Sequence, residues 1–374
     1  MYKSSVLKRL LFAILILLVL LSSTECWAKR KKKSSEESLQ ASVKREVVLG
    51  DKIAEEIAKN MKFNEDPIYT ARVRGIFNKL TPWTTRPLPY KIHIVKEKSP
   101  NAFCVPGGNI YVTTGLLNFV RSDAELAFVI AHELAHANGK HVIVQMERNQ
   151  KLSLAALAVA IASRGAGAAI MLSNIAAVAM ANAYSRDLEQ EADLNGADLA
   201  ERAGYDLIAG VTVMESLAEE ELKQPWFDPG VYRDHPKISE RIRYIADVVE
   251  KKGYKLHRKY VLKLLIPTLT EEGGNLIFKI DSTEISRAQK TPETLKSYET
   301  ALQMTSDHLQ METPAYDIRV SSPHGHGGGV YAGVKPLYLS TFPGGTDGLE
   351  TIRKRFLIAL NEARKKHPMA DYAM

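Results

Sequence analysis

Residues 122–139 read Ser-Asp-Ala-Glu-Leu-Ala-Phe-Val-Ile-Ala-His-Glu-Leu-Ala-His-Ala-Asn-Gly, and the spacing predicts one helix together with the chemistry it carries. Ser122 stands where an N-cap belongs, Glu125 completes a capping box, and Gly139 is a C′ residue able to end the helix after Asn138. Residues four apart on a helix are rotated by about 400°, so His132 and His136 leave one face, one turn apart, and can reach a single ion. Glu133 lies about 100° round from His132, close enough to bond a water at that ion without becoming a ligand, which is the place of a general base. Phe128, Val129, Ala131, Leu134 and Ala135 are apolar enough for the helix to be buried. Two imidazoles, a carboxylate and an open fourth position make a hydrolytic zinc site, with one Zn2+ per chain.

The third ligand must come from elsewhere, and Ser185-Arg186-Asp187-Leu188-Glu189-Gln190-Glu191-Ala192-Asp193 is the best supply. Ser185 can cap a helix there. Glu189 and Asp193 are four apart on one face, so Glu189 could bind zinc while Asp193 holds a ligand imidazole. Taken without context, any of these acids reads as part of a solvated helix face. Glu191 faces elsewhere, and His141, placed after the expected helix end, is given no role.

Upstream, Val47 to Lys62 and Ile68 to Leu80 show helical spacing of apolar residues, and Pro82, Pro87 and Pro89 close that stretch. Tyr90 to Val95 alternates as a strand does, and Asn109 to Thr113 predicts a second strand after the turn Pro106-Gly107-Gly108. Downstream, Leu152 to Tyr184 is rich in small and aliphatic residues but is interrupted by Ser163-Arg164-Gly165-Ala166-Gly167. Its halves read as a buried helical pair, with membrane insertion as the rival reading. From about Tyr254 the character changes to an α+β module. Leu276 to Ile280 and Tyr316 to Ser321 are expected as strands, and Pro292 to His308 and Gly348 to Lys366 as helices. His324-Gly325-His326, before Gly327-Gly328-Gly329, reads as a loop and not as a second metal site.

The 374 residues, 45% hydrophobic and 25% charged, are long enough for one large or two medium cores. The formal charge of +7 does not point to nucleic acid. The first 28 residues hold three basic and one acidic side chain and Lys29 to Lys33 hold five basic ones, so the remainder is formally neutral. Lys3, Lys8 and Arg9, then the apolar run Leu10 to Leu21, then Cys26-Trp27-Ala28 have the order of a secretory signal cleaved after Ala28, with an uncleaved anchor as the rival. The basic tail that follows could touch anionic headgroups or be a solvated linker. With Cys26 removed, Cys104 is left without a disulfide partner and is read as packing. The expected division is therefore 1–28 signal peptide, 29–45 linker, 46–252 peptidase domain and 254–374 C-terminal domain.

Asn101-Ala102-Phe103, Pro106-Gly107-Gly108, Thr114-Gly115-Leu116-Leu117, His132 to His136, Ser185-Arg186 with Glu189, Ala192 and Asp193, and His235-Pro236 with Arg241-Ile242 follow in that order. This order resembles the HtpX and CaaX-prenyl endopeptidase family, closest to its soluble exported branch, that of the β-barrel assembly-enhancing proteases. The resemblance covers roughly residues 45 to 250. It implies an α+β protein whose mostly helical, gluzincin-type zincin domain carries a small sheet with an edge strand, followed here by the small C-terminal α+β domain. It implies His132, His136 and Glu189 as zinc ligands, Glu133 as catalytic base and Asp193 as supporting acid. It further implies His235 as a fourth ligand or plug, Arg241 as an oxyanion stabiliser, and Asn109, Ile110, Tyr111, Val112 and Thr113 as the edge strand on which substrate adds. The branch carries tetratricopeptide repeats at its C-terminus, and residues 254–374 do not resemble them. The expected activity is zinc-dependent endoproteolysis of unfolded or misassembled envelope proteins, in the periplasm or at an extracytoplasmic membrane surface, with no nucleic-acid partner. The rivals are a membrane-embedded peptidase of the prenyl-protein type and a zinc-containing chaperone without proteolysis.

Overall fold

The computed structural model describes residues 37, 39–150, 166–180, 184–223, 238–322, 328–343 and 348–368. The expected signal peptide, the basic tail, the first half of the 152–184 pair, His235 and the His324-Gly325-His326 loop lie outside the described residues. Helix α1 occupies 39–60, so residues 39–45, expected as linker, are helical. Its Leu49, Ile53 and Ile57 recur every four residues and are buried. Asp66 caps α2 (Pro67–Leu80) through the Ile68 amide, with Pro67 pre-set for the first turn.

Three strands follow, where two were expected: β1 (Lys91–Val95), β2 (Ala102–Val105) and β3 (Asn109–Thr113), in the order β1-β3-β2. All four residues of β2 are buried, so its sequence shows no alternation to betray a strand. β3 pairs with β1 in parallel and with β2 in antiparallel register. Asn109 to Thr113 is therefore the central strand and not the edge strand expected for it. Both of its flanks are taken, and β2 is the edge nearest the motif helix.

After the short α3 (Thr114–Phe119), α4 (Asp123–Gly139) is buried on every side from Glu125 to Ala137. Ser122 Oγ accepts the Glu125 amide at 3.2 Å. The capping box is not reciprocal, because the Glu125 carboxylate turns instead to the Arg121 amide at 2.6 Å and the Thr212 hydroxyl at 2.7 Å. The left-handed residue that closes the helix is Lys140, with φ 58°, and not Gly139. Among the described residues, α5 (His141–Gln150), α6 (Ala166–Met180), α7 (Arg186–Arg202) and α8 (Ile208–Lys223) pack in the same core, as does the later Ile238–Lys251 helix. In α6, Ile175, Ala176 and Ala179 are buried and Ile170 is exposed. Among the described residues no helix is long and apolar enough to cross a membrane. Helix α7 lies against α4 so closely that a Cβ on Gly196 would stand 2.9 Å from the Cα and backbone nitrogen of His132.

Beyond α9 (Ile238–Lys251) and α10 (Arg258–Leu262) a second core forms. It lies under two antiparallel three-stranded sheets, β4-β5-β6 (Pro267–Glu272, Asn275–Ile280, Thr283–Gln289) and β7-β8-β9 (Ile318–Ser321, Gly329–Ala332, Lys335–Leu339). Helices α11 (Pro292–His308) and α12 (Leu349–Lys366) pack on them, burying Tyr298, Phe356 and Leu360 against Phe278 and Leu337. The module is fastened to the first domain by a buried charge network. Arg258 donates to both oxygens of Glu215 on α8 at 2.8 and 2.9 Å and to Glu312 at 2.8 Å, and His367 bonds the same Glu215 at 3.0 Å. Glu215→Ala withdraws the main partner of a fully buried guanidinium and is expected to cost about 3 kcal/mol in urea unfolding. A loss no greater than the roughly 1 kcal/mol of an exposed pair would sink this account of the fastening.

Candidate metal centre

Helix α4 carries His132 and His136 one turn apart, and α7 crosses it to bring Glu189 opposite both. The two imidazole Nε2 atoms are 3.0 Å from each other. Glu189 Oε2 lies 3.6 Å from His132 Nε2, and Oε1 lies 3.4 Å from His136 Nε2. All three side chains are buried, and one ligand atom from each falls within 4.8 Å of the others. Two imidazoles and a carboxylate converging in a buried site form the donor set of a catalytic zinc, and the residues present fit that ion. Burial first, then the neighbouring His132, holds the His136 ring down to about 4, so it is neutral and has a lone pair to offer near pH 7.

Each ligand is held from behind. Asp193 Oδ1 is 2.9 Å from His132 Nδ1, the contact by which a carboxylate can hold the ring with Nε2 turned to the site. Asp193 is itself clamped by Arg241, through Nε at 2.8 Å and Nη2 at 2.7 Å, and by the Tyr244 hydroxyl. Burial alone would raise the Asp193 carboxyl, but Arg241 and His132 carry it well below the usual carboxylate range. Arg241 is fully buried, and its Nη1 lies 3.6 Å from Glu189 Oε2. Arg241 thus clamps Asp193 through two hydrogen bonds and turns its Nη1 toward the ligand carboxylate of Glu189.

Glu133 is 1% exposed. Burial, then the Glu189 carboxylate, pushes its carboxyl well above the ordinary range. Cys104 of β2 lies beside this carboxyl and partly offsets that rise, and Glu133 Oε2 makes no hydrogen bond among the described residues. The base thus lies next to β2. Cys104 packs there with its thiol raised by burial and its Sγ 3.8 Å from the Tyr184 hydroxyl.

Three contributors are not evident from the motif. Tyr184 stacks on the His136 ring at 4.1 Å between centroids, Tyr244 holds Asp193, and His141, given no role on sequence, places its Nδ1 2.9 Å from His136 Nδ1. His235 lies outside the described residues.

Residues 67–249 match peptidase family M48. The chain is 26% identical to the β-barrel assembly-enhancing protease of Yersinia pestis, over 54% of this chain and 43% of that one. It is 36% identical to the mitochondrial metalloendopeptidase OMA1 of Arabidopsis thaliana, over 35% of this chain and 26% of that one. A metalloendopeptidase OMA1 of Danio rerio is 30% identical over 43% of this chain and 36% of its own length. The chain thus spans less than half the length of these curated relatives.

Proposed function

Because residues 67–249 are a peptidase family M48 domain, we propose that the chain is a zinc-dependent endopeptidase of the cell envelope that hydrolyses misfolded or stalled envelope proteins. The observation that carries this reading is the buried set His132, His136 and Glu189, with Glu133 beside it on the same helix and not among the ligands. His132, His136 and Glu189 would hold zinc, which supplies a Lewis acid for the scissile carbonyl and lowers the pKa of water. Glu133 takes the proton of the attacking water on its carboxylate and passes it to the leaving amine. An extended substrate adds by backbone hydrogen bonds to β2, the edge of the sheet beside which Glu133 lies, so that pairing sets the peptide near the base. Asp193 and Arg241 keep the His132 ring and Glu189 in place throughout.

The envelope assignment is supported by the order of charges and apolar residues in Met1 to Ala28 and by relatives named as β-barrel assembly-enhancing proteases. Lys29 to Lys33 would lie at the membrane surface after cleavage of the signal. The test is digestion of a denatured and a folded outer-membrane protein by the purified chain, with fragments identified by mass spectrometry. Internal cuts in the denatured form alone, abolished by a zinc chelator and restored by zinc, are expected. Zinc-loaded protein that leaves every unfolded client intact would favour a binding protein instead.

A further inference from the structure

His136 differs from His132 in what stands behind it. His132 backs onto a carboxylate, but the atom 2.9 Å from His136 Nδ1 is the Nδ1 of a second imidazole, His141. His136 can offer Nε2 to the ligand set only if its proton sits on Nδ1, and the acceptor for that proton is then His141 Nδ1. This fixes the His141 tautomer in turn, placing its proton on Nε2, 3.7 Å from the Glu191 carboxylate. The His141 ring is 1% exposed, and Glu191 is more than half exposed. Glu191 belongs to α7, the same helix that carries Glu189 and Asp193.

The backbone is shaped for this contact. Helix α4 ends at Gly139, Lys140 adopts the left-handed conformation, and α5 starts at His141, so the chain doubles back and lays the imidazole over Gly139. A Cβ on Gly139 would stand 2.2 Å from His141 Nε2 and 2.5 Å from Cδ2. The requirement for glycine here is not conformational. Position 139 must be bare because the ring occupies the space of a side chain.

We propose that His141 is a positioning residue for the metal centre, accepting the His136 Nδ1 proton and thereby aiming the His136 Nε2 lone pair at His132 and Glu189. This rests on the reading of His132, His136 and Glu189 as a zinc site. The experiment uses the full chain and two readouts that do not involve catalysis: zinc affinity by chelator competition and the visible absorption of the cobalt-substituted protein. His141→Leu removes the acceptor, and zinc affinity is expected to fall by about 10- to 100-fold with a changed cobalt spectrum. His141→Asn returns an oxygen acceptor near the position of Nδ1 and is expected to restore both toward wild type. Gly139→Ala leaves every polar group intact, yet by evicting the ring it is expected to reproduce the His141→Leu losses. Wild-type affinity and spectrum in both His141→Leu and Gly139→Ala would overturn the proposal, as would a folded His141→Asn as impaired as His141→Leu. If the wild-type chain itself binds no zinc, the zinc-site reading fails first, and that result is distinct from either of these.

Discussion

Glu133→Gln is expected to lower peptide hydrolysis by about 10²- to 10⁴-fold while zinc binding stays at the wild-type level. The side chain is buried, sits outside the ligand set and lies beside Cys104 of β2. Glutamine has the same shape, but it cannot take a proton from water. Because burial and Glu189 already push the Glu133 carboxyl upward, a neutral amide also suits the pocket, and no loss of stability is expected. Turnover by the pure variant, with zinc content measured on the same sample, decides the matter. A variant that holds zinc and cleaves at the wild-type rate would remove Glu133 from the chemistry and leave the proton transfer without a carrier.

Asp193→Ala is expected to damage both stability and metal binding. Its carboxylate is the bidentate partner of Arg241, which is fully buried, and removing it leaves a guanidinium whose other close carboxylate, Glu189, is 3.6 Å away. Breaking a buried pair from one side costs about 3–5 kcal/mol, most of it the burden of the charge left behind. The same substitution frees His132 Nδ1, and the ring then loses its orientation, which is expected to weaken zinc binding by about 10- to 100-fold. Urea unfolding and chelator competition measure the two effects separately. Asp193→Asn keeps the shape and part of the bonding, so it should fall between wild type and Asp193→Ala in both. Wild-type zinc affinity in a folded Asp193→Ala protein would mean that His132 needs no support from behind.

The ligands were legible to the degree that their geometry is local. His132 and His136 sit one helical turn apart, so periodicity alone places both on one ion, with Glu133 beside it and not a ligand. Glu189 was one of several acids on its segment, and only the ordered resemblance singled it out. Arg241 shows the limit of such a carry-over: its position follows the family pattern, yet the carboxylates it meets on α7 are not revealed by its own neighbours in the chain. The edge strand was misplaced for a related reason. Strand order in a sheet is not order along the chain, and β2, buried throughout, shows no alternation by which to recognise it. His141 escaped notice because it lies past a helix end, and its return to the site depends on one left-handed residue, Lys140. In the C-terminal module the helix expected over Pro292 to His308 is α11, capped by Thr291, whereas β4, β6, β8 and β9 carry no sustained alternation.

The contact of Gly196 with the main chain of His132 bears on how the ion enters the life of the protein. Two helices that meet at backbone distance are held by packing, so Glu189 stands across from the imidazoles by virtue of the fold and need not be drawn there by a cation. The binding energy of zinc is then not consumed in ordering the chain, as it is in a zinc finger. Metal loss would leave a folded scaffold ready for reloading, and supply of the ion would govern activity without governing the lifetime of the protein.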